Sequence, residues 1–335
     1  MNLSRDTVEI KTENVKPRRF AFVLLDNFTM MCFSSAVEAL RIANRMSRLP
    51  LYEWKLLSED GNSVTSSALV EFNVDSDLVE LNHDDTIMLC GGVKIRDATT
   101  QKLLNWIRRE GRRGVTLGGL CTSAHVLAKA GLLDGKRAAI HWENHDSFEE
   151  DFPNVTLSNS VFVIDGKVIT TAGGTSSIDL MLKLIAEDHG EELASAVADQ
   201  LVYTSIRTER DSPRLSVPSR FGVRHHKLSE VIQTMESNLE DPISPATLAQ
   251  NVGLSTRQLE RLFRRYLNRS PKRFYMEIRL QKARNLLMQT DMSVINVALA
   301  CGFSSASHFS KCYRAQYSTT PYRERGVQTI HAIAP

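Results

Sequence analysis

The sequence predicts an α/β domain built on a parallel sheet, followed by an all-α domain with two helix-turn-helix units. Three observations support this prediction. Strand-like and helix-like runs alternate over the first two thirds of the chain, the last third contains an internal repeat with helical periodicity, and a polar segment separates the two parts. The chain of 335 residues is also long enough to form two cores.

Polar segments predict the domain boundaries. Residues 1–17 are polar and charged without an apolar stretch, which predicts a disordered leader and not a signal peptide. Residues 210–226 contain two prolines and three serines, which is typical of a linker. The predicted domains are therefore residues 18–209 and 227–325, and residues 326–335 form a tail.

Composition restricts the class of protein. A hydrophobic fraction of 42% and a charged fraction of 24% are typical of a soluble globular protein, and no apolar run is long enough to span a bilayer. The five cysteines are scattered without C-x-x-C spacing, which favours free thiols in a reducing cytoplasm over disulfides or zinc. We therefore expect a cytoplasmic protein with no membrane partner and no cofactor.

Charge is unevenly distributed along the chain. The stretch from His225 to the end contains 15 basic and 8 acidic residues, a net charge of +7. The remainder contains 26 basic and 31 acidic residues, a net charge of −5. A basic second part indicates a polyanionic partner, although a merely solvated basic surface is the alternative.

The first two thirds of the chain predict a doubly covered parallel sheet. Strand-like runs occupy residues 18–25, 86–92, 114–120 and 167–175, and helix-like runs occupy residues 34–46, 103–110, 122–133 and 176–190. Strands that alternate with helices form parallel sheets with helices on both faces, and ligands bind at the carboxyl ends of the strands.

A sharp turn is predicted where one of these strands meets its helix. Gly118 and Gly119 permit the turn, Cys121 occupies its tip, and the N–H groups that open the next helix form a small anion site. A catalytic cysteine needs a neighbouring base or positive charge. His141 ends the next predicted strand, but no acid is evidently placed to orient it. We expect Cys121 to line a pocket, with catalysis and simple packing as the alternatives.

The pocket is predicted to bind a small zwitterion. The anion site suits a carboxylate, and the rings of Phe28 and Trp142, with Glu143 nearby, suit a cation at the same sheet edge. The predicted ligand-binding residues are Phe28, Cys121, Thr122, His141, Trp142 and Glu143. The alternative for Phe28 and Trp142 is that they are core residues. His141 and His145 have the spacing of a shared metal site, but Trp142 stands where the zincin pattern requires glutamate, so no metal is predicted.

The last third repeats itself. The stretch from Gly253 to Pro271 aligns with the stretch from Gly302 to Pro321, with the glycines 49 and the prolines 50 residues apart. In the first copy, Pro245 suits the first position of a helix, and Ser255 with the glutamine three residues later suits a capping box. Two copies of a small helical unit are therefore predicted, and a single such pattern alone would also fit an ordinary helical hairpin.

The outward faces of the second helices predict contacts with double-stranded DNA. The predicted DNA-binding residues are Arg257, Gln258, Arg261, Arg264 and Arg265 in the first copy and Ser307, His308, Lys311 and Arg314 in the second. Arginine and glutamine can bind base edges, and the remaining arginines can bind phosphates. A long helix over residues 271–290 would hold the two units apart.

These residues carry a resemblance to known families. Residues 257–287 and 293–325 resemble the two halves of the AraC/XylS-type DNA-binding domain, and the resemblance extends over residues 227–325. It implies two recognition helices in successive major grooves on one face of the DNA. Proteins of this type are mostly activators that bind DNA as dimers, so a homodimer that contacts RNA polymerase is expected.

The front of the chain carries a second resemblance. Residues 24–44 and 118–143 resemble the class I glutamine amidotransferase-like (PfpI-type) domain, whose fold is flavodoxin-like, and the whole order resembles the GlxA-like subgroup of AraC regulators. In PfpI-type hydrolases a histidine follows the elbow cysteine, whereas this chain has Thr122. In related enzymes an acid approaches from a position that aligns with Cys32.

The combined resemblance implies a transcriptional regulator that is not an enzyme. Residues 24–29 and 141–143 resemble regulators of glycine betaine, carnitine and arginine catabolism, so the expected effector is a small amine or amino-acid-like metabolite. The alternative is an active cysteine hydrolase or hydratase fused to a DNA-binding domain.

Overall fold

The computed structural model describes residues 16–213 and 225–325. The chain forms two compact units, which divide between Pro213 and Arg214, inside the segment predicted as a linker. Most of that segment, most of the predicted leader and the predicted tail lie outside the described residues. Within the described ranges, no helix is long and apolar enough to cross a bilayer.

Strands of the N-terminal unit form one large sheet and two small pairs. In chain order they are β1 (Arg18–Leu24), β2 (Tyr52–Leu57), β3 (Val64–Thr65), β4 (Glu71–Phe72), β5 (Thr86–Cys90), β6 (Thr116–Leu120), β7 (Arg137–Ala138), β8 (Thr156–Leu157), β9 (Phe162–Asp165) and β10 (Val168–Thr171). The large sheet has the order β2-β1-β5-β6-β10-β9. All neighbouring strands in it are parallel except β9, which pairs antiparallel with β10. The predicted parallel sheet is confirmed, with one antiparallel edge strand.

Helices cover both faces of this sheet. They are α1 (Met30–Ser47), α2 (Gln101–Arg112), α3 (Ala124–Lys129), α4 (His145–Asp151), α5 (Ser176–His189) and α6 (Glu191–Gln200), with a 3-10 helix over Trp142–Asn144. Side chains of β1 point alternately to the two faces, as strand geometry requires. Phe22 packs in the core that includes α1, α5 and α6, whereas Val23 packs in the core that includes α2 and α3.

One strand expectation is wrong. His141 does not end a strand of the large sheet, because the preceding strand β7 has two residues and pairs with β8 in a separate sheet. His141 instead immediately precedes the 3-10 helix.

The described part of the C-terminal unit, residues 225–325, is all-α. Its helices are α7 (His226–Glu236), α8 (Pro245–Asn251), α9 (Thr256–Leu267), α10 (Pro271–Gln289), α11 (Val294–Ala300) and α12 (Ala306–Tyr317). The pairs α8–α9 and α11–α12 are the two helix-turn-helix units, and each packs on its own apolar cluster. The predicted capping box is present, since Ser255 accepts from the Gln258 backbone N–H and the Gln258 side chain accepts from the Ser255 N–H.

The turn between α11 and α12, in the second helix-turn-helix motif, is held from two sides. The Arg279 guanidinium, on α10, donates to the Cys301 carbonyl oxygen at 2.7 Å and to the Gly302 carbonyl oxygen at 2.5 Å, and it lies 4.3 Å from the centre of the Phe303 ring. On the other side, a Cβ added at Gly302 would lie 2.5 Å from the carbonyl oxygen of Glu240, which precedes α8. The turn of the second helix-turn-helix motif therefore packs directly against the segment that precedes α8 in the first motif.

Candidate functional site

The strand-to-helix elbow is built as the sequence predicted. Cys121 lies between β6 and α3 with a φ of 61°, a left-handed conformation that is uncommon for residues other than glycine. Its backbone N–H donates to the Thr171 hydroxyl oxygen at 3.4 Å. The chain passes close by at Gly173, where an added Cβ would lie 2.9 Å from the Cys121 sulfur. Cys121 itself is 5% exposed.

The predicted anion site at this elbow is largely occupied by the protein's own groups. The Ser123 N–H donates to the Leu120 carbonyl at 3.1 Å, and the His125 N–H donates to the Thr122 carbonyl at 3.0 Å. The Thr122 N–H hydrogen-bonds to the Cys121 sulfur. These N–H groups are therefore engaged within the turn and are not open to a bound carboxylate.

Hydroxyl and thiol groups surround the Cys121 sulfur. The Thr29 hydroxyl oxygen lies 3.7 Å from it, and the Cys32 thiol hydrogen-bonds to it. The hydrogen bond from Cys32, with contributions from Thr29 and Thr122, lowers the pKa of Cys121 against the opposing effect of burial. The same hydrogen bond and burial raise the pKa of Cys32. Across residues 16–213, neither an imidazole nor a carboxylate hydrogen-bonds to the Cys121 sulfur.

His141 and Glu143 lie beside the elbow. The backbone N–H of His141 donates to the Cys121 carbonyl oxygen at 3.3 Å. The ring nitrogen Nδ1 of His141 lies 3.8 Å from a Glu143 carboxylate oxygen. Glu143 is therefore the acid that lies beside His141, at a distance longer than a hydrogen bond. Burial lowers the pKa of His141, and Glu143 partly opposes that shift. The half-buried Trp142 ring lies 5.6 Å from the His141 ring, between centroids.

Phe28 and Thr122 do not line an open pocket. Phe28 is 0% exposed, and its ring meets the Phe33 ring at 5.9 Å and the Phe72 ring at 5.3 Å, both edge to face. The core alternative for Phe28 is thus correct, because other rings cover it and no face is left for a cation. The Thr122 hydroxyl donates to the Gly92 carbonyl oxygen at 2.8 Å. His141, Trp142 and Glu143 remain as the accessible edge of the predicted site.

The two histidines with metal-site spacing have different neighbours. His145 Nε2 lies 3.2 Å from the Ile140 carbonyl oxygen, whereas His141 lies beside Glu143. Among the described residues, no group of three or more potential ligands could hold a metal ion.

The recognition helices α9 and α12 expose all nine predicted DNA-binding residues. Arg257, Arg261 and Arg264 share one face of α9 at helical spacing, and Glu260 lies on the same face. Two of the nine residues make side-chain hydrogen bonds within their own helix or its cap. The Gln258 side-chain oxygen accepts from the Ser255 N–H at 2.8 Å, and His308 Nε2 lies 3.4 Å from the Cys312 sulfur. Gln258 therefore cannot use both ends of its amide on adenine without opening the capping box.

Sequence reasoning missed a buried carboxylate on α5. Asp179, whose side chain is 0% exposed, accepts from the Tyr203 hydroxyl at 3.0 Å, from the Arg207 N–H at 2.8 Å and from the Arg207 guanidinium at 2.6 Å. These bonds hold the segment that follows α6 against α5. The available signal was an aspartate between the apolar residues Ile178 and Leu180 of this helix, since such a residue needs a buried partner.

A cavity of about 520 Å³ lies beside this cluster. Its lining includes Phe162, Leu182, Lys183, Glu191, Ile206 and Arg210. The combination of apolar side chains with both signs of charge is suited to a small amphipathic molecule.

Both units resemble known protein families. The profile of the DJ-1/PfpI family matches residues 18–187, and that of a helix-turn-helix domain matches residues 248–326. The chain is 47% identical over 315 residues to the HTH-type transcriptional regulator CdhR of Pseudomonas aeruginosa (strain PAO1), covering 94% of each. It is 36% identical over 305 residues to the HTH-type transcriptional regulator GlxA of Rhizobium meliloti (strain 1021), covering 91% of this chain and 94% of that protein.

Among solved structures, a THiJ/PfpI family protein from Pseudomonas syringae has a TM-score of 0.52 and 18% identity, covering 67% of this chain and 87% of that one. At this identity the likeness shows a common fold for the N-terminal unit.

Proposed function

Because the chain belongs to the AraC-type transcriptional regulators of the GlxA-like subgroup, in which a DJ-1/PfpI domain precedes the helix-turn-helix domain, we propose that it activates transcription in response to a small metabolite. The exposed arginine face of α9 is the observation that carries this proposal, since Arg257 and Arg261 lie in the first two turns, where base edges are reached. The protein would bind its operator as a homodimer and contact RNA polymerase.

The N-terminal unit acts as the receptor in this proposal and not as a hydrolase. The groups that hydrogen-bond to the Cys121 sulfur are a hydroxyl, a thiol and a backbone N–H, so no general base among residues 16–213 is in contact with it. The expected effector is an amine or amino-acid-like metabolite such as a betaine, carnitine or arginine. Its cationic end would bind at the accessible edge of the elbow, against the Trp142 ring and the Glu143 carboxylate.

Arg257→Ala and Arg261→Ala are each expected to weaken binding to a selected operator by about 5- to 150-fold, which corresponds to about 1–3 kcal/mol for a lost base contact. Binding to random DNA of the same length should fall much less. The measurement is a titration of the full chain on sites enriched from a random library. Affinity should also fall steeply as salt is raised, because phosphate contacts release counterions.

Arg41→Ala is the matched control, since Arg41 lies on α1 of the N-terminal unit in a surface pair with Glu38. It should leave both affinities unchanged. Equal losses on selected and random DNA would contradict base recognition by Arg257 and Arg261 and would leave them as phosphate contacts only.

Trp142→Ala is expected to weaken effector binding by about 2- to 30-fold, if the ring makes a desolvated cation–π contact worth about 0.5–2 kcal/mol. Glycine betaine, carnitine and arginine would first be screened by thermal shift, because a ligand that binds the folded state raises its Tm. Calorimetry on the best ligand then measures the change in Kd. Glu191→Gln tests the cavity beside Asp179 in the same way. Loss of affinity in Glu191→Gln with none in Trp142→Ala would move the effector site to that cavity.

A further inference from the structure

The cavity beside Asp179 combines a buried apolar lining with exposed charged residues. Phe162 on β9, Leu182 on α5 and Ala194 on α6 line it, and each is no more than 3% exposed. Residues 206–210, the segment that Asp179 holds against α5, line it as well. Its volume of about 520 Å³ is in the range of small-molecule sites. The packing of these elements therefore leaves a preformed space for the apolar part of a ligand.

One guanidinium in the lining is held in a fixed position. Nε and Nη2 of Arg207 donate to the Asp179 carboxylate at 3.0 and 2.6 Å, and Nη2 also donates to the Thr175 hydroxyl at 2.7 Å. Within residues 16–213, Nη1 of Arg207 makes no hydrogen bond, so its N–H groups remain free to donate. A guanidinium that is already fixed loses little conformational entropy when it binds a carboxylate.

Two further charged residues of the lining, Arg210 and Glu191, have opposite signs and are both exposed. Two other charges of the lining are paired, as Lys183–Glu187 at 3.1 Å and Glu209–Arg137 at 3.7 Å. Across residues 16–213, by contrast, the side chains of Arg210 and Glu191 form no ion pair. One cation and one anion are therefore available to a ligand that carries both charges.

We propose that this cavity is a second ligand site, which binds a zwitterion with an apolar body. The carboxylate of the ligand binds Arg207 Nη1 and Arg210, its ammonium group binds Glu191, and its apolar body packs against Phe162 and Leu182. A simple anion would leave Glu191 unpaired beside it, and a simple cation would do the same to Arg210. The inference does not rest on the effector site at the elbow or on DNA binding, because none of these residues belongs to either.

The test measures the Kd of three probes for the full chain by calorimetry. L-2-Aminooctanoic acid is a zwitterion with a six-carbon apolar tail, octanoic acid lacks its ammonium group, and heptylamine lacks its carboxylate. The zwitterion should bind about 2- to 5-fold more tightly than either of the others, because each partly exposed ion pair adds a modest amount. Octanoic acid or heptylamine that bound as tightly as the zwitterion would overturn the proposal.

Variants assign each charge to its partner. Glu191→Gln and Arg210→Gln should each weaken binding of L-2-aminooctanoic acid by about 2- to 5-fold, and the double variant by about 4- to 25-fold if the two contacts are independent. Glu191→Gln should not weaken binding of octanoic acid, and Arg210→Gln should not weaken binding of heptylamine. Arg207 is left unaltered, since its loss would also expose the Asp179 carboxylate.

Glu192→Gln is the matched control, because Glu192 is the next residue on α6 but does not line the cavity. It should leave the Kd of all three probes unchanged, and so should Trp142→Ala at the elbow. If Trp142→Ala weakened binding of L-2-aminooctanoic acid and the double variant did not, the probe would bind at the elbow. That result would overturn this inference and leave the proposed function standing. Failure of all three probes to bind at millimolar concentration would overturn the inference too.

Discussion

Asp179→Ala is expected to lower the free energy of unfolding of the N-terminal unit by about 3 kcal/mol, the lower end of the range for breaking a buried ion pair. The substitution leaves the Arg207 guanidinium, whose side chain is only 26% exposed, without its carboxylate. It also removes the acceptor of the Tyr203 hydroxyl and of the Arg207 N–H. Urea unfolding followed by tryptophan fluorescence would measure the change, since all three tryptophans lie in this unit.

Tyr203→Phe is the matched control. It removes one hydroxyl of the same cluster and should cost about 1 kcal/mol, the usual net contribution of a hydrogen bond. If Asp179→Ala and Tyr203→Phe destabilised the protein equally, the ion pair would contribute nothing beyond its hydrogen bonds.

Gly302→Ala is expected to destabilise the C-terminal unit by about 3 kcal/mol and to abolish binding to the selected operator. The residue has a φ of 72°, which costs an alanine about 1–2 kcal/mol. Its Cβ would also lie 2.5 Å from the Glu240 carbonyl oxygen and 2.7 Å from the Leu239 carbonyl oxygen, and forced packing of this kind costs a further 1–3 kcal/mol or so. Because both contacts are with backbone carbonyl oxygens, the turn between α11 and α12 must move away from the segment that precedes α8.

Gly253→Ala, at the equivalent turn of the first unit, provides the comparison. Its φ is 64°, but the nearest atom to an added Cβ is the end of the Lys227 side chain at 3.6 Å. Only the backbone strain of about 1–2 kcal/mol should therefore appear. Equal effects of the two substitutions, measured by thermal unfolding and DNA titration, would show that the contact with Glu240 is unimportant.

Periodicity and capping rules predicted most of the fold. The strand pattern placed Cys121 at the turn between β6 and α3, and the Ser255–Gln258 box marked the start of α9. Both predictions depend on neighbours in sequence, which is where propensity and capping act. The position of His141 was misjudged because β7 pairs outside the large sheet, and strand pairing is a tertiary property.

The candidate ligand site was less predictable for the same reason. An aromatic residue near a strand end can face solvent or other rings, and only the tertiary packing of Phe33 and Phe72 shows that Phe28 is covered. The bonds between Asp179 and Arg207 span 28 residues and leave no periodic trace in the sequence. Gln258 fits both the capping box and the outward face that was expected to bind DNA. In the structure its side-chain oxygen accepts the capping hydrogen bond from the Ser255 N–H.

The contacts that hold the turn at Gly302 also limit how far the protein can adapt its shape to the operator DNA. Arg279 ties the second turn to α10, and the close approach of Gly302 to Glu240 leaves little freedom for α12 to swing relative to α9. A rigid pair of recognition helices cannot adjust its spacing, so any mismatch with the groove spacing of a straight duplex would have to be taken up by bending or twisting of the DNA. The elastic cost of that bend depends on the base steps between the two contacted grooves. Flexible pyrimidine–purine steps there would favour binding, and part of the operator's specificity would reside in base pairs that no side chain touches.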